Sequence, residues 1–163
     1  MSAALEPAPA AGKVVLTYGT FDLFHIGHLH LLERLSRMGD RLIVGVSTDE
    51  FNQQKGKRTV IPYAERSRLV KAIRYVDEVI PETSWAQKRV DIQRYGAAVF
   101  GIGADWEGKF DDLRDLCEVV YLPRTQGIST TALKDALRIL SHAHVKELKR
   151  ALDVMSTIIA RLE

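Results

Sequence analysis

The sequence has a single cysteine, Cys117, no long apolar run and almost no net charge. One cysteine excludes an internal disulfide and is typical of a protein kept in a reducing compartment. No stretch approaches the ~20 consecutive apolar residues that span a bilayer. A formal net charge of +2 is too small to indicate binding to nucleic acid or to a membrane surface. These absences predict a cytoplasmic protein that neither inserts into a membrane nor binds nucleic acid.

Two common phosphate-binding motifs are missing as well, the GxxxxGK[ST] loop and the GxGxxG dinucleotide fingerprint. The 163 residues suit one domain with a substantial core. The opening segment, MSAALEPAPAAG, is broken by Pro7 and Pro9 and has no basic region ahead of its alanines. We therefore expect residues 1–12 to be a disordered tail rather than a signal peptide, with the main domain at 13–140.

Short apolar runs alternate with helical patterns along the domain. The runs predict strands at 13–18, 41–46, 76–80, 97–102 and 118–122, and the patterns predict helices at 28–38, 63–73, 86–95 and 129–140. This alternation is typical of an α/β fold with a Rossmann-like parallel sheet and helices on both faces. Ligands of such folds bind outside the carboxyl ends of the strands. The segments that follow strands, including a loop at 49–58, should therefore meet at one edge.

The most informative segment follows the first predicted strand, where residues 18–28 read YGTFDLFHIGH. His25 and His28 stand three residues apart at a helix start, so both imidazoles lie on the same side of the first turn. There the backbone N–H groups and the helix dipole favour an anion, and Gly27 lets a ligand approach the backbone. The segment predicts a site for a phosphate chain. Metal binding is the alternative for the two histidines, but no third ligand stands at a supporting spacing.

A second candidate phosphate site follows the last predicted strand, where PRTQGISTT leads into a helix. Ser129 is a good N-cap, and the hydroxyls of Thr130 and Thr131 with the Arg124 guanidinium could hold a phosphate group. The alternative is an ordinary capped helix with a surface arginine.

Basic and aromatic residues elsewhere allow two interpretations. Lys55 and Lys57, in the stretch QQKGKR, are either solvated charges or flexible groups that close over a triphosphate. Arg66 and Arg74, eight residues apart on one helical stretch and on roughly the same face, are either exposed charges or phosphate ligands. Two tryptophans, Trp85 and Trp106, are either core or interface residues or, for Trp106 beside Asp105, nucleoside contacts.

In order along residues 13–140, the segments YGTFDLFHIGH, STDEFN, RYVDEVIPE, DWEGKFDDL, CEVVYLPRT and GISTT resemble the HIGH-type nucleotidyltransferases. The HIGH letters mark a superfamily that includes adenylyltransferases and class I aminoacyl-tRNA synthetases. A synthetase is disfavoured because 163 residues leave no room for tRNA-binding domains and because no KMSKS-like lysine loop is present. The combination of DWEGKFD with PRTxGISTT resembles the cytidylyltransferases that act on glycerol 3-phosphate.

The resemblance implies transfer of the cytidylyl group of CTP to sn-glycerol 3-phosphate, giving pyrophosphate and CDP-glycerol, a precursor of teichoic acids. It implies a homodimer and a Mg²⁺ ion held mainly by nucleotide phosphates, with Asp22 as the nearest protein candidate. The implied catalytic residues are His25, His28, Lys55, Lys57 and Arg124. The implied nucleotide contacts are Gly19, Thr20, Phe21, His25, Gly27, His28, Asp105, Arg124, Gly127, Ile128, Ser129 and Thr130. The implied acceptor contacts are Asp22, Lys55, Lys57, Arg66, Arg74 and Asp77.

Two other functions stay open at this point. The same chemistry could use another phosphorylated alcohol, such as phosphoethanolamine, phosphocholine or a polyol or sugar phosphate, because acceptor choice depends on a few pocket side chains. The second open function is a module that binds nucleotide without turnover. The combination of both histidines, both lysines and the Arg124–Ser129 segment disfavours it.

The last part of the chain, 141–163, predicts an amphipathic helix. Its apolar residues recur every three or four positions, at Val145, Leu148, Leu152, Met155, Ile159 and Leu162. Such a short seam needs a partner, either the chain's own domain or the same helix of a second subunit.

Overall fold

The computed structural model describes residues 12–159, with side chains for 12–138 and 142–155. Within this range the strands are β1 (Val14–Gly19), β2 (Arg41–Ser47), β3 (Glu78–Glu82), β4 (Ala97–Gly103) and β5 (Glu118–Leu122). The helices are α1 (Ile26–Ser36), α2 (Asp49–Gln54), α3 (Tyr63–Lys71), α4 (Gln87–Tyr95) and α5 (Thr130–Ile159). Two 3₁₀ turns, at Ala104–Trp106 and Asp111–Leu113, connect β4 to β5. Except for Gly12, the predicted tail lies outside the described residues.

The five strands form one parallel sheet in the order β3-β2-β1-β4-β5. The chain moves outward from β1 through β2 to β3 and then crosses back to β4 beside β1. A parallel sheet opens a crevice at such a reversal of strand order, at the carboxyl ends of the strands. The carboxyl ends of β1 and β4 therefore frame the place where a ligand should bind.

Alternating side chains of each strand supply two cores, one on each face of the sheet. Leu16 and Tyr18 of β1 pack with Ile92 of α4 in the first core, while Val15 packs with Leu35 of α1 in the second. Helix α3 joins the second core. Helices thus cover both faces, and the predicted α/β architecture is confirmed.

Two segments differ from the sequence prediction. The segment at 49–58, expected to be a loop, begins with a short helix, α2, because the Thr48 hydroxyl accepts a bond from the Phe51 N–H and caps it. The third strand runs from Glu78 to Glu82 rather than over 76–80. Pro81 is tolerated inside this strand because β3 lies at the edge of the sheet. The change places the Glu82 side chain at the carboxyl edge of the sheet.

A second compact unit covers residues 128–163 and contains α5. Helix α5 is continuous through the predicted boundary at residue 140, since neither glycine nor proline interrupts it. The seam residues Val145, Leu148, Leu152 and Met155 are all more than half exposed, while the side chains of Ile159 and Leu162 lie outside the described residues. Over 12–159, none of the helices has the length and apolar content needed to cross a membrane.

Candidate active site

The turn between β1 and α1 has an unusual backbone that starts the site. Phe21 and Leu23 have positive φ angles of 52° and 48°, a conformation that side chains disfavour. The Phe21 ring lies so close to Gly19 that a Cβ there would be 2.7 Å from the ring, so this position requires glycine. Phe21, expected to contact nucleotide, is only 3% exposed, and its side chain packs in the core. Its contribution to the site is to shape the turn.

The two histidines cap the start of α1 with their own rings. The Gly27 N–H donates to Nδ1 of His25 at 3.0 Å, and the His25 N–H donates to Nδ1 of His28 at 3.3 Å. The rings stack with centroids 3.9 Å apart. Because both Nδ1 atoms accept hydrogen bonds, each neutral imidazole carries its proton on Nε2. The turn therefore fixes two parallel imidazoles in one tautomer.

Both imidazoles are kept neutral near pH 7. Burial, and then the charge of the neighbouring His25, lowers the pKa of His28 to about 4. Burial, and then the positive charge of Arg124, lowers the pKa of His25. Neutral rings suit a role as hydrogen-bond donors to phosphate better than a role as fixed cations.

Asp22 and Arg66 hold the neighbouring loops in place. The Asp22 carboxylate is 2% exposed and accepts bonds from the N–H groups of Val60 and Ile61 at 2.9 and 3.0 Å. Arg66 is fully buried and donates to the carbonyls of Thr20, Ser47 and Ile61 and to Asp49. Both were expected to contact the acceptor. The structure gives them bonds that tie the turn after β1 to the loop before α3.

A cavity of about 70 Å³ lies at the carboxyl ends of β1, β2, β3 and β4. The residues lining it are Tyr18, Gly19, Thr20, Ser47, Lys55, Lys57, Glu82, Trp85, Lys88, Ile102, Trp106 and Phe110. The lining residues carry three ammonium groups and one carboxylate, so the net charge of the cavity wall is positive. A cavity of this charge fits an anionic substrate.

Glu82 holds two of the three ammonium groups. It is 2% exposed, its Oε1 accepts from Lys88 Nζ, and its Oε2 lies 3.5 Å from Lys55 Nζ. Lys55 Nζ also donates to Ser47 Oγ at 2.9 Å, and the Ser47 hydroxyl donates to Glu82. Burial lowers the pKa of Lys55, and the Glu82 charge opposes that effect. The carboxylate thus holds the Lys55 and Lys88 ammonium groups in place at the cavity.

Aromatic rings form the walls around these cations. Lys55 Nζ lies 4.2 Å from the Phe51 ring centroid, and Lys57 Nζ lies 5.4 Å from that of Trp106. Trp85 contacts both Phe51 and Trp106, with ring centroids 5.5 Å apart in each case. Neither tryptophan is a plain core residue, because Trp85 is 47% exposed and both line the cavity.

The remaining predicted residues divide into three groups. Arg124 pairs with Asp105 at 3.0 Å, and its positive charge lowers the pKa of His25. Ser129 and Thr130 belong to the second unit, where the Ser129 hydroxyl accepts from the Ala132 N–H at 3.0 Å, as its N-cap prediction requires. Gly127, with a φ of 81°, ends the first unit, and Ile128 begins the second. The roles of these residues toward nucleotide stay predictions.

Arg74 and Asp77 lie at the opposite edge of the sheet. Asp77 exchanges hydrogen bonds with the backbone of Leu42, at the amino end of β2. Arg74 lies beyond the end of α3, is exposed and donates to the Tyr75 hydroxyl. The helix expected to place Arg74 on the same face as Arg66 stops at Lys71. The structure therefore brings neither Arg74 nor Asp77 to the cavity.

The described residues do not fit a resident metal ion. Over residues 12–159, no group of three or more His, Cys, Asp or Glu side chains could hold one. Asp22, the nearest candidate, uses both carboxylate oxygens on backbone N–H groups. A cation at this site would have to bring its own ligands, as a nucleotide phosphate chain does.

Among the cavity residues that sequence reasoning missed are Ser47, Glu82 and Lys88, which form the hydrogen-bonded group described above. Ser47 and Glu82 end strands β2 and β3, so the strand-end argument would have found them had β3 been given its full length. Lys88, 2% exposed, stands in the first turn of α4 and looks like an ordinary surface charge in the sequence. Its one sequence signal is the nearby Glu82, six residues earlier.

Comparisons with known proteins agree with this geometry. The family model of cytidylyltransferase-like proteins matches residues 16–162. The chain is 58% identical over 125 residues to the glycerol-3-phosphate cytidylyltransferase of Bacillus subtilis (strain 168), covering 77% of this chain and 97% of that protein. It is 55% identical to the protein of the same name from Staphylococcus aureus (strain NCTC 8325 / PS 47), with 77% and 95% covered.

More distant relatives have related names. The ethanolamine-phosphate cytidylyltransferase of Mus musculus is 30% identical, with 88% of this chain and 37% of that protein covered. A solved lipopolysaccharide core biosynthesis protein from Thermoplasma volcanium GSS1 shares the fold, with a TM-score of 0.62 and 22% identity, covering 71% of this chain and 99% of that one. By its family model and its full-length relatives, the chain belongs to the cytidylyltransferase-like family.

Proposed function

We propose that the protein transfers the cytidylyl group of CTP to sn-glycerol 3-phosphate, releasing CDP-glycerol and pyrophosphate. One observation carries the proposal: three ammonium groups and a single carboxylate line a cavity at the crevice of the sheet, at the carboxyl end of the strand that leads to the histidine pair. The two bacterial glycerol-3-phosphate cytidylyltransferases, which the chain matches over nearly their whole length, support the choice of acceptor.

The reaction joins two anions, so the protein has to neutralise charge. An oxygen of the glycerol 3-phosphate attacks the α-phosphorus of CTP in line, forming a new P–O bond. The bond from that phosphorus to the bridging oxygen of the β-phosphate breaks, and pyrophosphate leaves with the electron pair. Because the nucleophile is already an anion, the step needs no general base. Catalysis is then positioning and charge stabilisation.

The histidines would stabilise the charge that grows on the reacting phosphate group. With Nδ1 held by the backbone, His25 and His28 offer Nε2–H donors whose orientation is set before substrate arrives. Preorganised donors of this kind typically contribute about 10²–10³ in rate each. Arg124 would hold a terminal phosphate of CTP, and Lys55 and Lys57 would hold the acceptor phosphate.

We propose that CTP enters as its Mg²⁺ complex, with the ion held by phosphate oxygens. The proposal rests on the lack of a metal-ligand group among residues 12–159 and on the charge of the triphosphate. Chelation should then stop turnover without changing the melting temperature of the nucleotide-free protein.

We further propose a cytoplasmic homodimer whose product feeds polymers of glycerol phosphate such as teichoic acids. The exposed apolar seam of α5 supports dimer formation, because a heptad seam is buried best against another helix of the same period. The small net charge of +2 gives no reason to expect a nucleic acid partner.

Pyrophosphate release tests the function directly. Purified protein is incubated with Mg²⁺, either CTP or ATP, and one of several acceptors: sn-glycerol 3-phosphate, phosphoethanolamine, phosphocholine or ribitol 5-phosphate. We expect release with CTP and glycerol 3-phosphate, and a loss of at least about 100-fold in the His28→Ala variant. Release with another pair would keep the chemistry and replace the acceptor or base. CTP binding without turnover on any acceptor would favour the nucleotide-binding module.

A further inference from the structure

Lys88 occupies a cage of aromatic rings at one end of the cavity. Its Nζ lies 4.6 Å from the Tyr18 ring centroid, 4.8 Å from that of Trp85 and 5.5 Å from that of Phe110. The Glu82 carboxylate completes the surroundings as a hydrogen-bond acceptor. Aromatic faces around a carboxylate form the kind of site that recognises an ammonium group. In this protein the ammonium group is supplied by the chain itself.

Two of the three rings of the cage, those of Tyr18 and Phe110, are buried, and the Tyr18 ring is fixed on both sides. The Tyr18 hydroxyl donates to Asp91 at 2.7 Å, and Gln87 Nε2 donates to the same carboxylate oxygen at 2.8 Å. The Tyr18 ring lies directly against Gly45, where a Cβ would be 2.1 Å from it. Phe110 is only 8% exposed. The walls therefore cannot widen easily to admit a second cation beside Lys88.

We infer that Lys88 selects the acceptor by charge: its ammonium group fills the aromatic cage and excludes phosphorylated alcohols that carry an ammonium group of their own. An acceptor such as phosphocholine would bring a trimethylammonium against the Lys88 ammonium, a like-charge contact that costs binding. A polyol phosphate has only hydroxyl groups there, which the Lys88–Glu82 pair can hydrogen-bond. The inference rests on the proposed function and names the residue that sets its acceptor class.

The test compares wild type with Lys88→Ala on three acceptors, each with CTP and Mg²⁺: glycerol 3-phosphate, phosphocholine and 3,3-dimethylbutyl phosphate. The last compound, 3,3-dimethylbutyl phosphate, has the shape of phosphocholine but lacks the positive charge of its ammonium group. Removing Lys88 should lower kcat/KM for glycerol 3-phosphate by about 100-fold and raise it for phosphocholine by at least about 10-fold. Among the three acceptors, only phosphocholine should show a higher kcat/KM in Lys88→Ala than in wild type. An equal gain for the neutral analogue would mean that only space was opened, and would overturn the inference, as would no gain at all.

Binding gives a second readout that does not depend on turnover. The only two tryptophans, Trp85 and Trp106, both line the cavity, so their fluorescence reports on a bound ligand. Phosphocholine should quench it in Lys88→Ala at concentrations at least about 10-fold below those wild type needs. Lys109→Ala is the matched control, since Lys109 lies 5.2 Å from the outer ring, Trp106, and is exposed. It should keep the wild-type preference, and an acquired preference for phosphocholine in this control would contradict the role of Lys88.

Loss of Lys88 leaves Glu82 with one cationic partner and could unfold the protein. The pair Glu82→Gln with Lys88→Ala removes both charges, and its aromatic cage should still bind phosphocholine more tightly than wild type does. Failure of a folded double variant to do so would overturn the inference. Wild type that is inactive on glycerol 3-phosphate would instead count against the proposed function.

Discussion

At the scale of single residues, the site consists of polar side chains that each have a partner in the protein. The histidine pair could be identified from spacing and from its place at a helix start. The capping of α1 by the Nδ1 atoms of both rings could not be identified from the sequence. It occurs beside a backbone with positive φ angles at Phe21 and Leu23, which the sequence does not reveal. Asp22 shows the opposite case. Its place beside the motif indicated a ligand contact, whereas its carboxylate accepts bonds from a distant loop.

The lowered pKa of His28 makes a prediction about stability. Burial disfavours the charged imidazole, so its folded pKa of about 4 lies below the ordinary value of 6.5. Above pH 6.5 the ring is neutral in both states and has no effect. Between pH 6.5 and 4 the unfolded chain takes up a proton that the folded ring does not. The free energy of unfolding should therefore fall on acidification, by about 2 kcal/mol between pH 7 and pH 4.5.

Urea unfolding of wild type and His28→Gln at pH 7 and pH 4.5 isolates this contribution, because the other titrating groups are common to both proteins. Wild type should lose about 2 kcal/mol more than the variant over this interval. Parallel losses would contradict the account of the buried neutral ring. Nitrogen chemical shifts should independently place the proton of both rings on Nε2 at pH 7.

Glu82 leads to a second prediction at this scale. In Glu82→Gln, Lys55 loses the charge that opposes the effect of burial, so its pKa should fall further. Less of the lysine is then protonated as pH rises. The KM for glycerol 3-phosphate should climb between pH 6 and pH 9 in the variant and stay nearly flat in wild type. Glu65→Gln, an exposed change on α3, is the control. A pH profile of Glu82→Gln that follows wild type would refute the positioning role.

At the scale of secondary-structure elements, the sequence was sufficient for the type and order of the strands and long helices. It was not sufficient for ends that matter to the site. The third strand extends to Glu82 because Pro81 and Glu82 pair with Val46 and Ser47 of β2, a tertiary effect that the local sequence does not show. Helix α2 depends on one capping hydroxyl at Thr48, a weak local signal next to the polar composition of that segment.

Arg66 is the connection between these elements, and a lysine should not replace it. Its guanidinium bonds to carbonyls of Thr20, Ser47 and Ile61 at once, a fork that a compact ammonium group cannot reproduce. Arg66→Lys should lower the free energy of unfolding by about 3 kcal/mol. Arg68→Lys, exposed on the same helix, should change it by less than about 0.5 kcal/mol. Equal effects in urea denaturation would show that Arg66 is not the connecting residue.

At the scale of the whole molecule, the convergence of strand ends was the most reliable inference from sequence. Any parallel sheet brings the ends of β1, β2 and β4 together, so Gly19, Thr20, Lys55 and Lys57 could be placed at one edge without coordinates. The position of Lys88 in the cavity could not be predicted, because it requires the angle at which α4 leaves β3.

The apolar seam of α5 makes a prediction about assembly. If Val145, Leu148, Leu152 and Met155 pair with the same helix of a second copy, a charge inside the seam should separate the subunits. Leu148→Glu should halve the mass found by sedimentation, while Lys146→Glu, outside the seam, should leave it unchanged. A chain ending at Leu140 should be monomeric as well. A dimer that survives both Leu148→Glu and the truncation would exclude this helix as the interface.

We propose that the positively charged cavity at the carboxyl end of the strand leading to the histidine pair selects a polyol phosphate without an ammonium group for cytidylyl transfer. A competition in one vessel tests it most directly. Purified protein receives CTP, Mg²⁺ and equal amounts of sn-glycerol 3-phosphate, phosphoethanolamine and phosphocholine, and mass spectrometry identifies the products. We expect CDP-glycerol with at most traces of the two products that carry an ammonium group. CDP-ethanolamine or CDP-choline as the main product would contradict it.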